Sequence, residues 1–484
     1  MRDFIHKAFG HESFLKNILL LVSGTLLAQV ISFLASPVLT RLYSPASYGE
    51  FGLFTACTAI AGALICFRYE LALVIPRSKE HAAALFCLAV ICCCINTVCI
   101  TLLITAAGKY AGFALVSGHA FIRYIVFPIY IFCSGISSIC NYWYTREGKF
   151  KYLAKRQVAY TILTVLAELC FAWLLTGDSG LGLVLGSTLA LGGTTLFLFM
   201  SIIKQDWADI KQVRWRDIRK EAWRYREFPL FSSWTAVFNT LSFSLPSLML
   251  SAYFNSETVG CYNLGYKILD LPISLIGTSV AQAFYPNIRE QDTPDKKKQA
   301  ALTVLRHLFE TGFVPLALIS IAAPWIFSII FGEEWLVTGY YVRLLAPWLF
   351  LVFIASPVSD LYIVLNRQKE HLIMNIAMLA VRFLSLYIGG RLRHDRVAIG
   401  LFGAAGAVMW ILNMTYILSK VGVHMGELFQ IVKAGMKTGA KYLILPVLSL
   451  FFHNRSVFFI SFLCGLWFLY GYYVKIRRGA DGTV

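Results

Sequence analysis

Apolar residues run in blocks of about twenty along the whole chain, and the short stretches between them carry most of the charge. A helix needs about 20 such residues to cross the hydrocarbon of a bilayer. Fourteen blocks approach that length: 17–39, 51–75, 82–107, 121–142, 157–176, 180–203, 229–251, 258–283, 304–331, 340–364, 371–390, 397–419, 439–452 and 456–474. The thirteenth is the shortest. Main-chain groups in lipid must find partners inside their own segment, so the blocks predict helices and not strands. The first is too long for a cleavable signal and is followed by thirteen more. The expected fold class is an all-α polytopic membrane protein.

Composition agrees. Apolar residues make up 58% of 484 and charged ones 14%, against about 45–50% and about 25% in soluble domains. The net charge of +17 is distributed unevenly. If the N-terminus is inside, 31 of the 43 Lys and Arg fall in cytoplasmic segments and 7 in outer ones, the bias expected of a protein with both termini in the cytoplasm. Arg391, Arg393 and Arg396 cluster on the outer side as the one departure. The basic excess thus meets anionic lipid, and no basic stretch has a nucleic-acid-binding pattern around it.

A weak internal repeat organises the chain. Tyr48-Gly49 after the first block matches Val259-Gly260 after the seventh, and Pro76 matches Pro286, at offsets of 211 and 210. Six blocks separate the copies, so both halves keep one orientation, as in transporters built from parallel repeats. The expected organisation is an N-terminal six-helix lobe (1–203), a basic linker (204–228), a second six-helix lobe (229–420) and a terminal helix pair (421–484). The linker carries Trp207, Trp215 and Trp223 among eight basic residues. Trp215, Ile218 and Ala222 share one helical stripe, which predicts a helix lying along the interface, as an aromatic anchor or a sensor of lipid headgroups.

Little here is built for covalent chemistry. No Gly-rich loop with a following Lys-Ser/Thr is present to cradle ATP. Gly182…Gly186 and Gly403…Gly406 have the spacing of close helix contacts. The twelve cysteines lie in or beside apolar blocks without metal-ligand spacing. The outer segments are short, and the longest, about 107–120, has no acidic residue. The candidates are ionisable residues within the blocks, each costing about 2.5–3.5 kcal/mol at mid-membrane. The cations are Arg68, Lys267, Arg343 and Arg382; the anions are Glu70, Glu168, Asp270 and Asp360. Lys267 and Asp270, three apart, can neutralise one another. Arg68 and Glu70, two apart on a continuous helix, would point to nearly opposite sides.

The stretch Pro37-Val-Leu-Thr-Arg-Leu-Tyr-Ser-Pro-Ala-Ser-Tyr-Gly-Glu-Phe, with Arg68-Tyr-Glu-Leu-Ala-Leu-Val-Ile-Pro76, resembles the Wzx-type flippases. These form the polysaccharide branch of the multidrug/oligosaccharidyl-lipid/polysaccharide transporters. The likeness in span number covers the whole chain and is densest over 23–80. The resemblance implies movement of an undecaprenyl-pyrophosphate-linked oligosaccharide, such as an O-antigen unit, from the cytoplasmic to the periplasmic leaflet of a bacterial inner membrane. It also implies alternating access, no enzyme activity, no cofactor beyond coupling to H+ or Na+, and a polysaccharide polymerase and chain-length regulator as partners. A cavity with basic residues for the pyrophosphate would use Arg41 and Arg68. Lys267, Arg343 and Arg382 join them by position, with Glu70, Asp270 and Asp360 as coupling or latch groups. Drug antiporters of the superfamily typically stop at twelve helices; a cation-coupled drug exporter and a membrane polymerase or glycosyltransferase are the competing functions.

Overall fold

Tyr43-Ser44-Pro45 divides the first helix from the second. In the computed structural model α1 (Glu12–Leu42) stops there and α2 (Pro45–Ile65) begins. Ser44 caps α2 by accepting the Ser47 main-chain N–H at 3.3 Å, and Pro45 sits in the first turn, where its missing N–H leaves nothing unsatisfied. The structure describes residues 12–110, 120–175, 180–273, 293–365, 367–452 and 456–481, with residues 280 and 288. Pro286 lies outside them.

The chain divides into two compact units, Met1–Gly260 and Cys261–Val484. In the first, α1 and α2 are followed by the four-residue α3 (Tyr69–Ala72), α4 (Lys79–Tyr110), α5 (Phe127–Arg146), α6 (Phe150–Leu174) and α7 (Leu181–Lys211). The short α8 (Trp215–Arg224) then leads to α9 (Ser233–Tyr253), and α10 (Ser256–Pro272) crosses the unit boundary. The second unit continues with α11 (Pro294–Phe331), α12 (Leu336–Ala355), the short α13 (Leu361–Val364), α14 (Gln368–Arg391), α15 (Asp395–Ser419), α16 (Met425–Ser449) and α17 (Ser456–Asp481). Each of the fourteen apolar blocks overlaps a helix of at least 17 residues, though 51–75 and 340–364 are each divided between a long helix and a four-residue one. Among the described residues ten helices are long and apolar enough to cross a membrane, and no strand occurs. The chain is an all-α polytopic membrane protein.

Helices in lipid gain little from hiding apolar surface from one another, because the surrounding tails are equally apolar; close packing takes over. Large apolar side chains accordingly remain on the outside, Leu103 at 68% exposure and Phe197 at 71%. The first unit packs α1 on α6, α6 on α7, α5 on α7 and α2 on α9, around Phe54, Phe86, Phe127 and Trp143. The second packs α12 between α11 and α15, with α14 on α15. The terminal pair α16 and α17 packs together and on α11 around Val314, Tyr442 and Phe468. The small-residue contacts are present as expected. Tyr43 and Glu168 fill the space above Gly182 and Gly186, and Leu344 and Trp348 that above Gly403 and Gly406.

The linker helix has one face on the protein and one left open. Its helix, α8, buries Ile218 and Glu221 against α4, while Trp215 and Trp223 stay exposed. A buried carboxylate decides this: Glu221 Oε1 receives His81 Nδ1 at 2.7 Å and Arg224 at 3.9 Å. The helix is docked on the protein along one face, and its exposed Trp215 and Trp223 are on the other.

The repeat-related glycines meet within the first unit. A Cβ at Gly49 would stand 1.7 Å from the Ser256 carbonyl oxygen, and one at Gly260 would stand 1.8 Å from that of Pro45. Gly49→Ala should therefore cost on the order of 3 kcal/mol, the upper range of ordinary overpacking. Gly193→Ala, with nothing within 4 Å of the added carbon, should be neutral or stabilising by up to about 1 kcal/mol. Melting of the two variants in detergent checks this, and equal midpoints would contradict the packing described.

Candidate functional site

Helix α2 does not continue through Arg68. Phe67 and Arg68 both adopt positive φ, 49° and 62°, a region that a bulky residue occupies only when its surroundings enforce it. The enforcing groups are visible. Asn96 on α4 donates through Nδ2 to the Leu64 and Ile65 carbonyls, both at 3.1 Å, closing the end of α2 from the side. Arg146 donates to the carbonyls of Pro76, Arg77 and Ser78 at 3.1–3.4 Å and holds the segment that leads into α4. The Tyr69 hydroxyl donates to the Ala222 carbonyl at 3.2 Å and ties α3 to α8.

This break corrects the expectation of one helix over 51–75. On a continuous helix Arg68 and Glu70 would diverge by about 200°; across the turn they converge, with Nη1 to Oε1 at 3.7 Å. Glu70 is buried, and neither its Oε2 nor Arg68 Nε makes a hydrogen bond. Glu70 lies between the spans Pro45–Ile65 and Lys79–Ala106, and burial holds its carboxyl above the ordinary carboxylate range, with Arg68 pulling the other way. A second guanidinium of this unit, Arg156, falls inside the span Phe150–Leu174. It donates to Asn141 Oδ1 at 2.8 Å and to the Ser137 hydroxyl.

In the second unit Arg382 on α14 is only 7% exposed. Its guanidinium lies over the Trp348 ring at 5.3 Å. Trp348 in turn meets Phe402 edge-on at 5.0 Å and Tyr266 at 6.2 Å, and Tyr262 stacks on Tyr266 at 6.0 Å. Gly406, against the indole, leaves room for this arrangement. Asp270, one turn beyond Tyr266 on α10, is half-buried. A permanent cation is thus kept in a largely aromatic setting, where ring faces supply part of the attraction that water would give.

Arg343 is engaged differently. Pro324 interrupts α11 and cannot donate to the carbonyl four residues back, that of Ser320. Arg343 from α12 donates to that oxygen through Nε at 3.3 Å and to the Ile321 carbonyl through Nη2 at 2.5 Å. Trp325 and Tyr340 flank its guanidinium. Arg396, from the unexplained outer cluster, stacks on the other partner of this group, Tyr340, at 4.6 Å. Arg41 is exposed at the end of α1, and Lys267 is exposed on α10. The Asp360 side chain lies outside the described residues; its main chain ends the 3-10 turn Pro357–Asp360 that separates α12 from α13.

The geometry therefore joins Arg68 to Glu70, seats Arg382 among aromatics, and ties Arg343 to main-chain carbonyls. It also adds Asn96, Arg146, Arg156 and Tyr69, which the sequence pattern did not single out. An Asn within the apolar block 82–107 is a signal that could have been used, since buried amides need partners. Arg156 falls one residue before the apolar block 157–176, in a stretch with Lys151 and Lys155. Among the described residues no group of three His, Cys, Asp or Glu side chains stands close enough to hold a metal ion.

This fold is similar to those of several solved membrane transporters. The lipid II flippase MurJ, in an inward closed conformation, is similar over 96% of this chain and 100% of its own, with a TM-score of 0.74 and 14% identity. An inward-facing multidrug resistance MATE family transporter of the MOP superfamily is similar over 81% of this chain and 94% of its own, at 0.66 and 18%. A MOP superfamily transporter from Pyrococcus furiosus is similar over 84% of this chain and 96% of its own, at 0.53 and 17%. At these identities the likeness establishes the fold. A search of curated protein sequences gives no match. Residues 38–339, more than half of the chain, match the model of the polysaccharide biosynthesis protein family, and the chain belongs to that family.

Removing the Asn96 donors tests what enforces the break. Asn96→Leu keeps similar bulk but leaves the Leu64 and Ile65 carbonyls without that partner, at an expected cost of about 1–3 kcal/mol. The variant should melt lower in detergent and be cleaved faster by protease between residues 66 and 78. Wild-type melting and cleavage would mean that the break is held by other groups.

Proposed function

We propose that this protein is a flippase that carries an undecaprenyl-pyrophosphate-linked oligosaccharide, the repeat unit of a surface polysaccharide, from the cytoplasmic to the periplasmic leaflet of a bacterial inner membrane. The observation that carries the reading is Arg382, a guanidinium kept within a spanning helix of a polysaccharide biosynthesis protein. An intramembrane cation is costly, and it serves an anion that must pass the same low-dielectric region. A pyrophosphate is such an anion, and Arg is its better partner because the planar fork can bond two oxygens at once.

Arg68 provides a second anion contact, and Glu70 is its internal substitute ligand. While the site is empty Glu70 occupies the guanidinium; an arriving phosphate competes with it. Displacement would leave Glu70 buried without its cation, which favours proton uptake. Glu70 is thus placed to couple cargo binding to protonation, with Asp270 and Asp360 as further coupling candidates. The steps need no bond making, so no catalytic residue is assigned. The membrane orientation taken here has both termini in the cytoplasm, as the Lys and Arg distribution favours. A drug exporter would share the fold; membership in a polysaccharide family favours the saccharide lipid.

Cells lacking the protein should accumulate the lipid-linked unit in the cytoplasmic leaflet, inaccessible to a probe added from the periplasm; accumulation on the outer side would sink the reading. Arg382→Ala and Arg68→Ala should abolish transport at normal protein levels, and Arg68→Lys should retain part of it. Burial raises the proton affinity of Glu70, so its charge should change at a higher pH than the ~4.3 of a free carboxyl. Transport by wild type should respond to pH in that raised range, and Glu70→Gln should flatten the response. Superimposable pH profiles would remove Glu70 from the coupling role.

A further inference from the structure

The first unit contains a cavity with basic residues on one side, outside the spans. A cavity of about 940 Å³ opens beside α8, lined by Tyr69, Arg219, Trp223, Arg226, Glu227 and Phe231 among others. Arg219 and Arg226 are exposed, and Arg226 lies over the Trp223 ring at 4.4 Å. The far wall is Pro229, Leu230 and Phe231, within a single widened π turn (Phe228–Ser232) that precedes α9. Leu230 and Phe231 are 58% and 70% exposed. One side of the cavity is therefore cationic and the other is open apolar surface.

From this geometry we infer that the cavity binds the headgroup of an anionic phospholipid, its phosphodiester between Arg219 and Arg226 and its chains along Leu230 and Phe231. Charge supports one occupant class. Two guanidiniums and the Glu227 carboxylate leave a single positive charge, which one phosphatidylglycerol neutralises. The free hydroxyls of its glycerol suit Glu227, an acceptor. Exposed Trp215 and Trp223 on the same helix are the side chains that settle at the membrane–water boundary. A soluble phosphate would have no use for the apolar wall.

The seat is next to the break that carries Arg68. Tyr69 lines the cavity and donates to the Ala222 carbonyl of α8. A bound lipid would bridge α8 and the start of α9 and hold that contact closed, so the surrounding bilayer would bias the Arg68–Glu70 turn without touching it.

Native mass spectrometry of the purified protein, titrated with phosphatidylglycerol, tests this. The wild type should retain one lipid that Arg219→Gln/Arg226→Gln retains roughly thirtyfold more weakly, at about 1 kcal/mol for each cation near the membrane surface. Arg219→Lys/Arg226→Lys should lie between. Arg216→Gln/Lys220→Gln removes the same charge from α8 outside the cavity lining and should bind like the wild type. Equal loss in both neutral doubles would reduce the effect to diffuse charge, and no loss in either would empty the site; both outcomes overturn the inference. Inorganic pyrophosphate at millimolar concentration should leave the lipid bound; displacement would assign the cavity to a soluble phosphate instead. Melting of each variant separates lost binding from lost folding. Binding is read without transport, so the result is independent of whether the protein flips a saccharide lipid.

Discussion

A main-chain carbonyl released inside a membrane has no water to turn to, and this protein meets that constraint with side chains brought from neighbouring helices. Where α2 ends, Asn96 supplies both hydrogens for Leu64 and Ile65. Where Pro324 frees the Ser320 carbonyl, Arg343 supplies one from α12. Between the spans, Arg146 collects three carbonyls of the segment before α4, and Tyr69 closes on Ala222. These interruptions are thus tied to a second helix. A break satisfied in this way is held at a fixed position, whereas a free end would fray.

That explains why charge can be displayed at Arg68. The turn at Phe67 and Arg68 is conformationally costly, roughly 1–3 kcal/mol per residue in such a region, and it persists because the donors around it leave the chain no cheaper path. Its product is a guanidinium and a carboxylate side by side, each with polar atoms still uncommitted. Arg382 is reached by another route: its helix is regular, and the Trp348 ring, itself packed on Phe402 and Tyr266, receives it. The two units therefore present cations by different physical means, one by breaking a helix and the other by surrounding one.

The division between what the sequence discloses and what it hides follows from range. Fold class is a local property, written in runs of about twenty apolar residues, and ten helices among the described residues are long and apolar enough to cross a membrane. The break at Phe67 was hidden because neither Gly nor Pro marks it. Phe67, Tyr69 and Leu71 read as a continuing apolar helix, and the cause, Asn96, lies on another block. The engagement of Arg343 was equally hidden, since it depends on a proline in α11 facing a particular turn of α12. For the linker, the stripe of Trp215, Ile218 and Ala222 suggested the membrane surface. Glu221, one residue off that stripe, set the docking through His81. Arg156 was misplaced because the span begins at Phe150, among basic residues that look like a loop.

The central claim is transport of an anionic lipid headgroup without nucleotide, and the most direct measurement is flipping by the purified protein in liposomes under an imposed potential. The interior of a cell is negative, so outward movement of an anion runs downhill by about 2.3 kcal/mol per charge per 100 mV. Two net charges give about 4.6 kcal/mol, roughly a thousandfold in the equilibrium distribution, less whatever a co-moving cation cancels. The account predicts flipping of undecaprenyl-pyrophosphate-linked sugar with no nucleotide present, at a rate that changes with the imposed potential. Flipping that stops when nucleotide is removed, and that ignores both potential and ion gradients, would contradict it.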